Sequence, residues 1–390
     1  MAIEIPLSIK YRPKKLSDVI GQEVVVKSLT NALKSKTLHH AYIFEGNLGS
    51  GKTSVSRILA AMENCEKAPT IEPCGTCNNC ISIFAGKSID VKEVDAASNR
   101  GIDDIRQIKE EIKLHPVYGN VKYVIIDEAA SLTGFAAEAA LKMIEEPPQG
   151  VRFVLATTDA HKLIDTIRSR CISFKFHKVN WMLMYEHLQK IVELEKIICE
   201  DEVLKLISKN SKGSVRDSLQ YLQTLINYVG DEKITLDIAK EVLGSIDSDL
   251  YFKLINAIVT MNIPASMILV NNLFLNGKDI GSILNGLYEH LNNLSIIANC
   301  SGSTEDCLSK LGYSSLDNFY SYLGFSIDEI KKYNYQLSTF QKEHKIVINK
   351  FIDMLAKVNA GIELNIDPQI LLNQYIINSM IYFQKIISSK

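Results

Sequence analysis

Eight consecutive residues, Gly46-Asn47-Leu48-Gly49-Ser50-Gly51-Lys52-Thr53, fit the pattern G-x-x-x-x-G-K-[ST]. Gly46, Gly49 and Gly51 let backbone N–H groups turn inward around a polyphosphate, with Ser50 and Ser54 on the same loop and first helical turn. Lys52 then meets the outer phosphates, and the Thr53 hydroxyl ligates Mg²⁺. A second constellation, Asp127-Glu128, closes the apolar run Tyr123-Val124-Ile125-Ile126. A buried strand ending in two carboxylates delivers them to the edge of a sheet where a phosphate loop also lies. Asp127 is placed to hold Mg²⁺ through water, and Glu128 to polarise an attacking water. The alternative, a solvated acidic strand end, is disfavoured by the intact phosphate loop upstream.

A third group is Cys65, Cys74, Cys77 and Cys80, spaced C-x₈-C-x₂-C-x₂-C in a segment broken by Pro73 and Gly75. Three thiolates at this spacing can fold around one tetrahedral ion, with Cys65 closing the set from the end of the preceding helix. Zinc suits such a set best. An iron–sulfur cluster and a redox pair remain as alternatives. Between Cys74 and Cys80 the chain carries, besides Cys77, only Gly75, Thr76, Asn78 and Asn79 and no potential general base, so the role of the cluster reads as structural. Cys171, Cys199, Cys300 and Cys307 are scattered and read as small, partly buried residues.

These groups need a scaffold, and the apolar pattern supplies one. Strand-like runs at Ala41 to Phe44, Ile89 to Val94, Lys122 to Ile126, Arg152 to Thr158 and Ile172 to Phe176 alternate with helical ones. The helical runs are Ser54 to Met62, Ile102 to Ile112, and Phe135 to Glu145, the last stopped by Pro147-Pro148. Alternation of this kind predicts a parallel sheet covered on both faces. After His177 only helical runs follow: Trp181 to Glu195, Glu202 to Lys209, Ser214 to Tyr228 and a short one near Leu236, then an Ile-, Leu- and Asn-rich helical region from Ser248. The last helix, Ile370 to Ile387, is apolar over much of its circumference, which predicts burial against other helices or another subunit.

At 390 residues the chain implies two to three domains. Its net charge of −2 means that any nucleic-acid contact must come from a local patch. The first fifteen residues hold no apolar signal region and no stretch is long enough for a membrane span, so a cytoplasmic protein with no membrane partner is expected.

With these motifs in place, the chain resembles the bacterial clamp-loader ATPases, the gamma/tau subunits of DNA polymerase III. The resemblance covers about residues 9 to 370 and rests on pieces in the family's order: Lys10-Tyr11-Arg12-Pro13, Val19-Ile20-Gly21-Gln22-Glu23, His39-His40-Ala41-Tyr42, the phosphate loop and the four cysteines. Asp95-Ala96-Ala97-Ser98, Glu145-Glu146-Pro147-Pro148, Ala156-Thr157-Thr158-Asp159, Ser169-Arg170-Cys171 and Gly213-Ser214-Val215-Arg216-Asp217 continue the series. It implies an α/β parallel-sheet P-loop (AAA+) ATPase domain with a zinc knuckle over residues 1–178, a helical lid over 179–243, and an all-α collar over 244–390. It also implies ATP, Mg²⁺ and Zn²⁺ as cofactors. Implied partners are delta, delta-prime and further gamma/tau copies, the sliding clamp and primed-template DNA. Tyr11, Arg12, Pro13 and Val19 would border the adenine pocket. Thr158 would sense the γ-phosphate, Arg216 would report the nucleotide to the lid, and Arg170 would complete the neighbouring subunit's ATP site.

The chain departs from the family's usual pattern at Ala129-Ala130, where Val-His is usual, and at Asn99-Arg100-Gly101, where more basic residues face DNA. It ends soon after the collar, so the contacts that longer tau forms make with helicase and polymerase are expected to be absent. Two rival readings are a delta-prime-like stator, which acts as an interaction protein without catalysis, and a Holliday-junction motor, which lacks the cysteine knuckle.

Overall fold

The computed structural model of the chain describes residues 5–98, 102–132, 134–243, 248–275, 279–300, 315–316, 319–320, 323, 325, 327–340, 344–363 and 366–388. Asn99-Arg100-Gly101 and Cys307 lie outside the described residues. The described chain divides into two compact units, Met1–Leu236 and Asp237–Lys390.

In the first unit the strands are β1 (Ala41–Gly46), β2 (Val91–Asp95), β3 (Lys122–Asp127), β4 (Val151–Thr157) and β5 (Ile172–Phe176). They form one sheet in the order β2-β3-β4-β1-β5 with every pairing parallel. Strand alternation sorts the side chains into two cores. Tyr42, Phe44, Tyr123 and Ile125 face α2 (Glu23–Lys34) and α3 (Lys52–Asn64), whereas Ala41, Ile43, Val124 and Ile126 face α5 (Ile102–Glu111) and α6 (Gly134–Glu145). Burial on both faces explains why these strands read as continuous apolar runs.

Buried polar groups fasten the ends of the strands. Arg152 on β4 forms a two-pronged ion pair with Glu63 on α3, and its Nη1 donates to the carbonyls of Leu38 and His39 at 3.0 and 3.2 Å. Asp90 accepts the backbone N–H groups of Val117, Tyr118 and Gly119 at 2.7–2.8 Å, which shapes the turn leading into β3. With Asp90 turned inward and Ile89 65% exposed, β2 begins at Val91, not at Ile89.

Two short helices, α4 (Asn78–Phe84) and α7 (Asp165–Arg168), lie between strands, and the helices after the sheet are α8 (Trp181–Glu195), α9 (Asp201–Asn210) and α10 (Val215–Val229). The Asn180 side chain caps α8 by accepting from Met182 N at 2.8 Å, and Ser214 caps α10 by accepting from Asp217 N at 3.3 Å. These helices fall in the same unit as the sheet because the chain start packs on them. Leu7, in the short helix α1 (Leu7–Lys10), is fully buried, and its N–H donates to Gln223 Oε1 on α10 at 3.1 Å.

The second unit is helical where it is described. Its core joins Leu254, Ile258, Leu287, Leu291, Val347 and Phe351. His290 is embedded there: its Nε2 lies 2.7 Å from Gln336 Oε1, while Gln336 Nε2 donates to Phe252 O and Asn256 Oδ1, both at 2.8 Å. Burial lowers the His290 pKa to about 4, so the ring is neutral. The final helix, Pro368–Ser388, buries Leu372, Ile376, Met380 and Phe383 within this unit, and leaves Ile370, Ile377 and Ile381 exposed.

Candidate nucleotide and metal sites

Gly51 adopts φ +100° and ends the loop after β1, so that α3 begins at Lys52. Only a residue without Cβ takes such a backbone turn without strain. Lys52 is 6% exposed, and its Nζ donates to the loop carbonyls of Gly46 at 2.7 Å and Asn47 at 2.9 Å. Burial lowers the Lys52 pKa while Asp127 and Glu128 oppose the shift. Those carboxylates are therefore close enough for their charge to act on the lysine.

The two sequence motifs meet directly. Thr53 Oγ1 donates to Asp127 Oδ2 at 2.7 Å, and Asp127 Oδ1 accepts the N–H of Glu128 at 3.0 Å. Glu128 itself sits at φ +49°, an uncommon conformation for a side-chain-bearing residue and one that recurs at functional sites. A hydroxyl and a carboxylate oxygen this close suit a hard cation such as Mg²⁺, which takes few protein oxygens and keeps several waters. Between β1 and β3, β4 ends at Thr157, which is fully buried and whose hydroxyl is bonded to the backbone of Asp159. Thr158 follows one residue past the strand and is exposed.

The loop also touches α10. Gly49 O accepts the N–H of Val215 at 3.1 Å, and a Cβ on Gly49, whose φ is +71°, would fall 2.0 Å from Ser214 Oγ. Arg216, the second residue of α10, thus begins beside the phosphate loop, with its side chain exposed.

The Tyr11–Arg12 pair divides. The Tyr11 hydroxyl donates to Glu195, the last residue of α8. Burial and Arg57 lower the pKa of Arg12, Glu93 opposes, and Arg216 and Asp127 contribute in turn, so Arg12 shares the electrostatic environment of the phosphate-loop edge. Arg57 is held by Glu93 through two bonds of 2.6 and 2.7 Å. Gln22 exchanges hydrogen bonds with the backbone of His177 at 2.7 and 3.0 Å, which ties the Val19–Gln22 turn to the exit of β5. Pro13 and Val19 are both half-buried.

Arg170 lies two residues before β5, which pairs with β1 alone at one edge of the sheet. Its guanidinium pairs with Glu145 at 2.7 Å and donates to Thr166 O at 2.9 Å. The last residue of α6 therefore orients the arginine, a function its sequence context did not reveal.

Cys65, at the C-terminus of α3, joins Cys74, Cys77 and Cys80, with all four sulfurs within 4.8 Å of one another. Cys74 Sγ and Cys80 Sγ are 3.9 Å apart. Four sulfurs about 2.3 Å from one zinc ion stand about 3.8 Å from each other, so the set fits a tetrahedral ion. Backbone N–H groups of Cys77 and Cys80 point at the sulfurs of Cys74 and Cys77 at 3.3 and 3.4 Å, and those of Thr76 and Cys77 hold the Cys74 thiol below its ordinary pKa. Among the described residues, no helix is long and apolar enough to cross a membrane.

The chain is similar to known DNA polymerase III subunits. A family model described as "DNA polymerase III, delta subunit" matches residues 21–180, and one described as "DNA polymerase III clamp loader subunit, ATPase lid domain" matches residues 184–228. The DNA polymerase III subunit tau/gamma of Haemophilus influenzae is 41% identical over 62% of this chain and 35% of its own length. The DNA polymerase III subunit gamma of Buchnera aphidicola is 34% identical over 75% of this chain and 78% of its own. Among solved structures, the Thermotoga maritima RuvB Holliday junction branch migration motor covers 78% of this chain and 99% of its own at 20% identity, with a TM-score of 0.46. The chain spans about half the length, or less, of the tau-type relatives it matches. With the gamma subunit matched over 75% of one chain and 78% of the other, and the phosphate loop meeting Asp127-Glu128 at the sheet edge, the protein belongs to the DNA polymerase III gamma/tau family of clamp-loader subunits.

Proposed function

We propose that this chain is the ATPase motor subunit of a replicative clamp loader, which uses ATP binding and hydrolysis to open a sliding clamp and load it onto primed DNA. The observation that carries the reading is the Thr53–Asp127 contact, which joins phosphate loop and acidic strand end into one site. In this reading Gly46, Gly49, Ser50, Gly51 and Ser54 cradle the phosphates, and Lys52 turns from its loop carbonyls to the outer phosphates. Thr53 and Asp127 hold Mg²⁺, which supplies charge neutralisation at the phosphates when bound. Glu128 accepts a proton from the attacking water, and Thr158 senses the γ-phosphate.

Tyr11, Pro13 and Val19 border the base. Arg12, on which the charges of Arg57 and Glu93 and then of Arg216 and Asp127 act, borders the same pocket. Arg216 couples the nucleotide to the lid, and Arg170 acts in trans on a neighbouring copy. The four cysteines hold a structural Zn²⁺. Residues 1–178 form the ATPase domain, 179–243 the lid and 244–390 a collar that joins delta, delta-prime and further gamma/tau subunits in the cytoplasm.

A second reading has one observation in its favour: the model matching residues 21–180 carries the name of a delta subunit. As a delta-prime-like stator the chain would interact without catalysis. Intact Lys52, Thr53, Asp127 and Glu128 weigh against that. Titration of the purified chain with ATP, with and without primed DNA, decides: binding with DNA-stimulated hydrolysis supports the motor, and absence of binding supports the stator.

A further inference from the structure

The chain start and the lid are fastened by a carboxylate outside every motif. Glu195 is the last residue of α8, where the negative end of the helix dipole disfavours an acidic side chain. It nevertheless keeps only 13% of its side-chain surface exposed, and it is engaged twice. Lys10 Nζ lies 2.6 Å from Glu195 Oε1, and the Tyr11 hydroxyl donates to the same oxygen. Burial, then the bond to Glu195, pushes the Tyr11 hydroxyl up to about 12, and the bonds from Lys10 and Tyr11 hold the Glu195 carboxyl below its ordinary value. One turn back along the chain start, Leu7 N donates to Gln223 on α10.

The lid thereby grips both sides of the site. At one side Val215 N meets the carbonyl of Gly49 in the phosphate loop. At the other, Glu195 and Gln223 hold the segment Leu7–Tyr11, whose next residue, Arg12, shares the electrostatic field of Asp127 and Arg216. In the nucleotide-site reading above, a bound nucleotide would span these two contacts, with its phosphates in the loop and its base against the Tyr11–Pro13 segment.

We propose that Glu195 is a positioning residue that latches the Lys10–Tyr11 segment to the lid, so that the base of the nucleotide is gripped only when the lid is in contact with the phosphate loop. This rests on the nucleotide-site reading above and adds to it the device that couples base recognition to the lid. Glu195 acts through Tyr11 and Lys10, to which it is bonded.

The test compares two ligands on the purified full chain: ATP, and inorganic tripolyphosphate, which has the phosphates and no base. Glu195→Gln is expected to weaken ATP about five- to tenfold, a loss in the range of one net hydrogen bond, and to leave tripolyphosphate affinity within about twofold. Tyr11→Phe, which keeps the ring and removes only the donor, should reproduce the selective loss. The double variant should be no weaker than the worse single one, because Tyr11→Phe removes the donor of the Tyr11–Glu195 contact and Glu195→Gln the charge of its acceptor. Glu195→Asp should restore part of the affinity. An equal loss for both ligands, or additive losses in the double variant, would overturn the latch and leave Glu195 as a structural residue. A wild-type chain that binds tripolyphosphate but shows no preference for ATP would overturn it as well. Failure of the nucleotide site itself reads differently: neither ligand would bind even the wild-type chain.

Discussion

Thr53 on the first turn of α3 and Asp127 at the end of β3 share a hydrogen bond of 2.7 Å across the width of β4, which separates β1 from β3 in the sheet. Parallel topology makes such a meeting possible, since every strand delivers its C-terminal residue to the same edge. In the proposed function Thr53 and Asp127 would hold Mg²⁺, which would neutralise phosphate charge there. Thr53→Val, which keeps the volume and removes the hydroxyl, should raise the Mg²⁺ concentration needed for half-maximal hydrolysis at least about tenfold, roughly 1.4 kcal/mol. An unchanged Mg²⁺ dependence would exclude Thr53 as a ligand.

Lys52 supplies a buried cation whose present acceptors are two loop carbonyls. Lys52→Ala should weaken ATP by at least about a hundredfold, because Lys52 is the loop residue that brings positive charge to the phosphates. Fluorescent-nucleotide titration checks this, and wild-type affinity in the variant would remove the loop from the site.

Glu128→Gln keeps the left-handed backbone at 128 and the size of the side chain while removing its basicity. Binding should persist while single-turnover hydrolysis falls about 10²- to 10⁴-fold, the usual range for a positioned general base. A fall of less than threefold would mean that another group activates the water.

The cysteine cluster should bring one Zn²⁺ per chain through purification, measurable by elemental analysis. Cys77→Ser, or exhaustive chelation, should cost about 3 kcal/mol, in the upper range for a single substitution. At this unit's size that lowers Tm by about 6–12 °C. Iron in place of zinc, or an unchanged Tm, would refute a structural zinc knuckle.

Arg170 is oriented by Glu145 within its own chain, so a role in trans requires that the pair open toward a neighbour. Arg170→Ala should bind ATP normally as an isolated chain and fail to support DNA-stimulated hydrolysis once assembled. Mixing it with Lys52→Ala chains should restore activity at interfaces that pair an intact loop with an intact arginine. A trans arginine is worth about 10³ or more in rate, so even partial rescue stands above background. No rescue in rings shown to contain both chains would return Arg170 to a structural ion pair.

Much of the sheet was legible because its signal is local. Tyr42 and Phe44 against Ala41 and Ile43, and Tyr123 and Ile125 against Val124 and Ile126, are buried runs that any two-sided parallel sheet requires. Boundaries shifted where a polar side chain made a long-range bond: Asp90 turns in to bind residues 117–119, and β2 starts after it. Within the candidate site, the residues carrying a motif were legible and those that orient them were not. Glu93 beside Arg57 and Glu195 beside Tyr11 are ordinary acids in the sequence, and the motif that contains Glu145 gives no sign that its partner is Arg170. Only folding brings each to its partner. One hint was available for Glu195, since an acid at a helix C-terminus calls for a compensating cation.

Gly49 carries a consequence for how this sequence can drift. In the G-x-x-x-x-G-K-[ST] pattern it occupies a variable position, yet its φ of +71° and the 2.0 Å gap between a would-be Cβ and Ser214 Oγ forbid almost any side chain there. The restriction comes from α10, which the phosphate pattern does not describe. A side chain at 49 would have to tolerate the left-handed backbone and also find room at both 214 and 216, so it could enter only if α10 receded, loosening the hold of the lid on the loop.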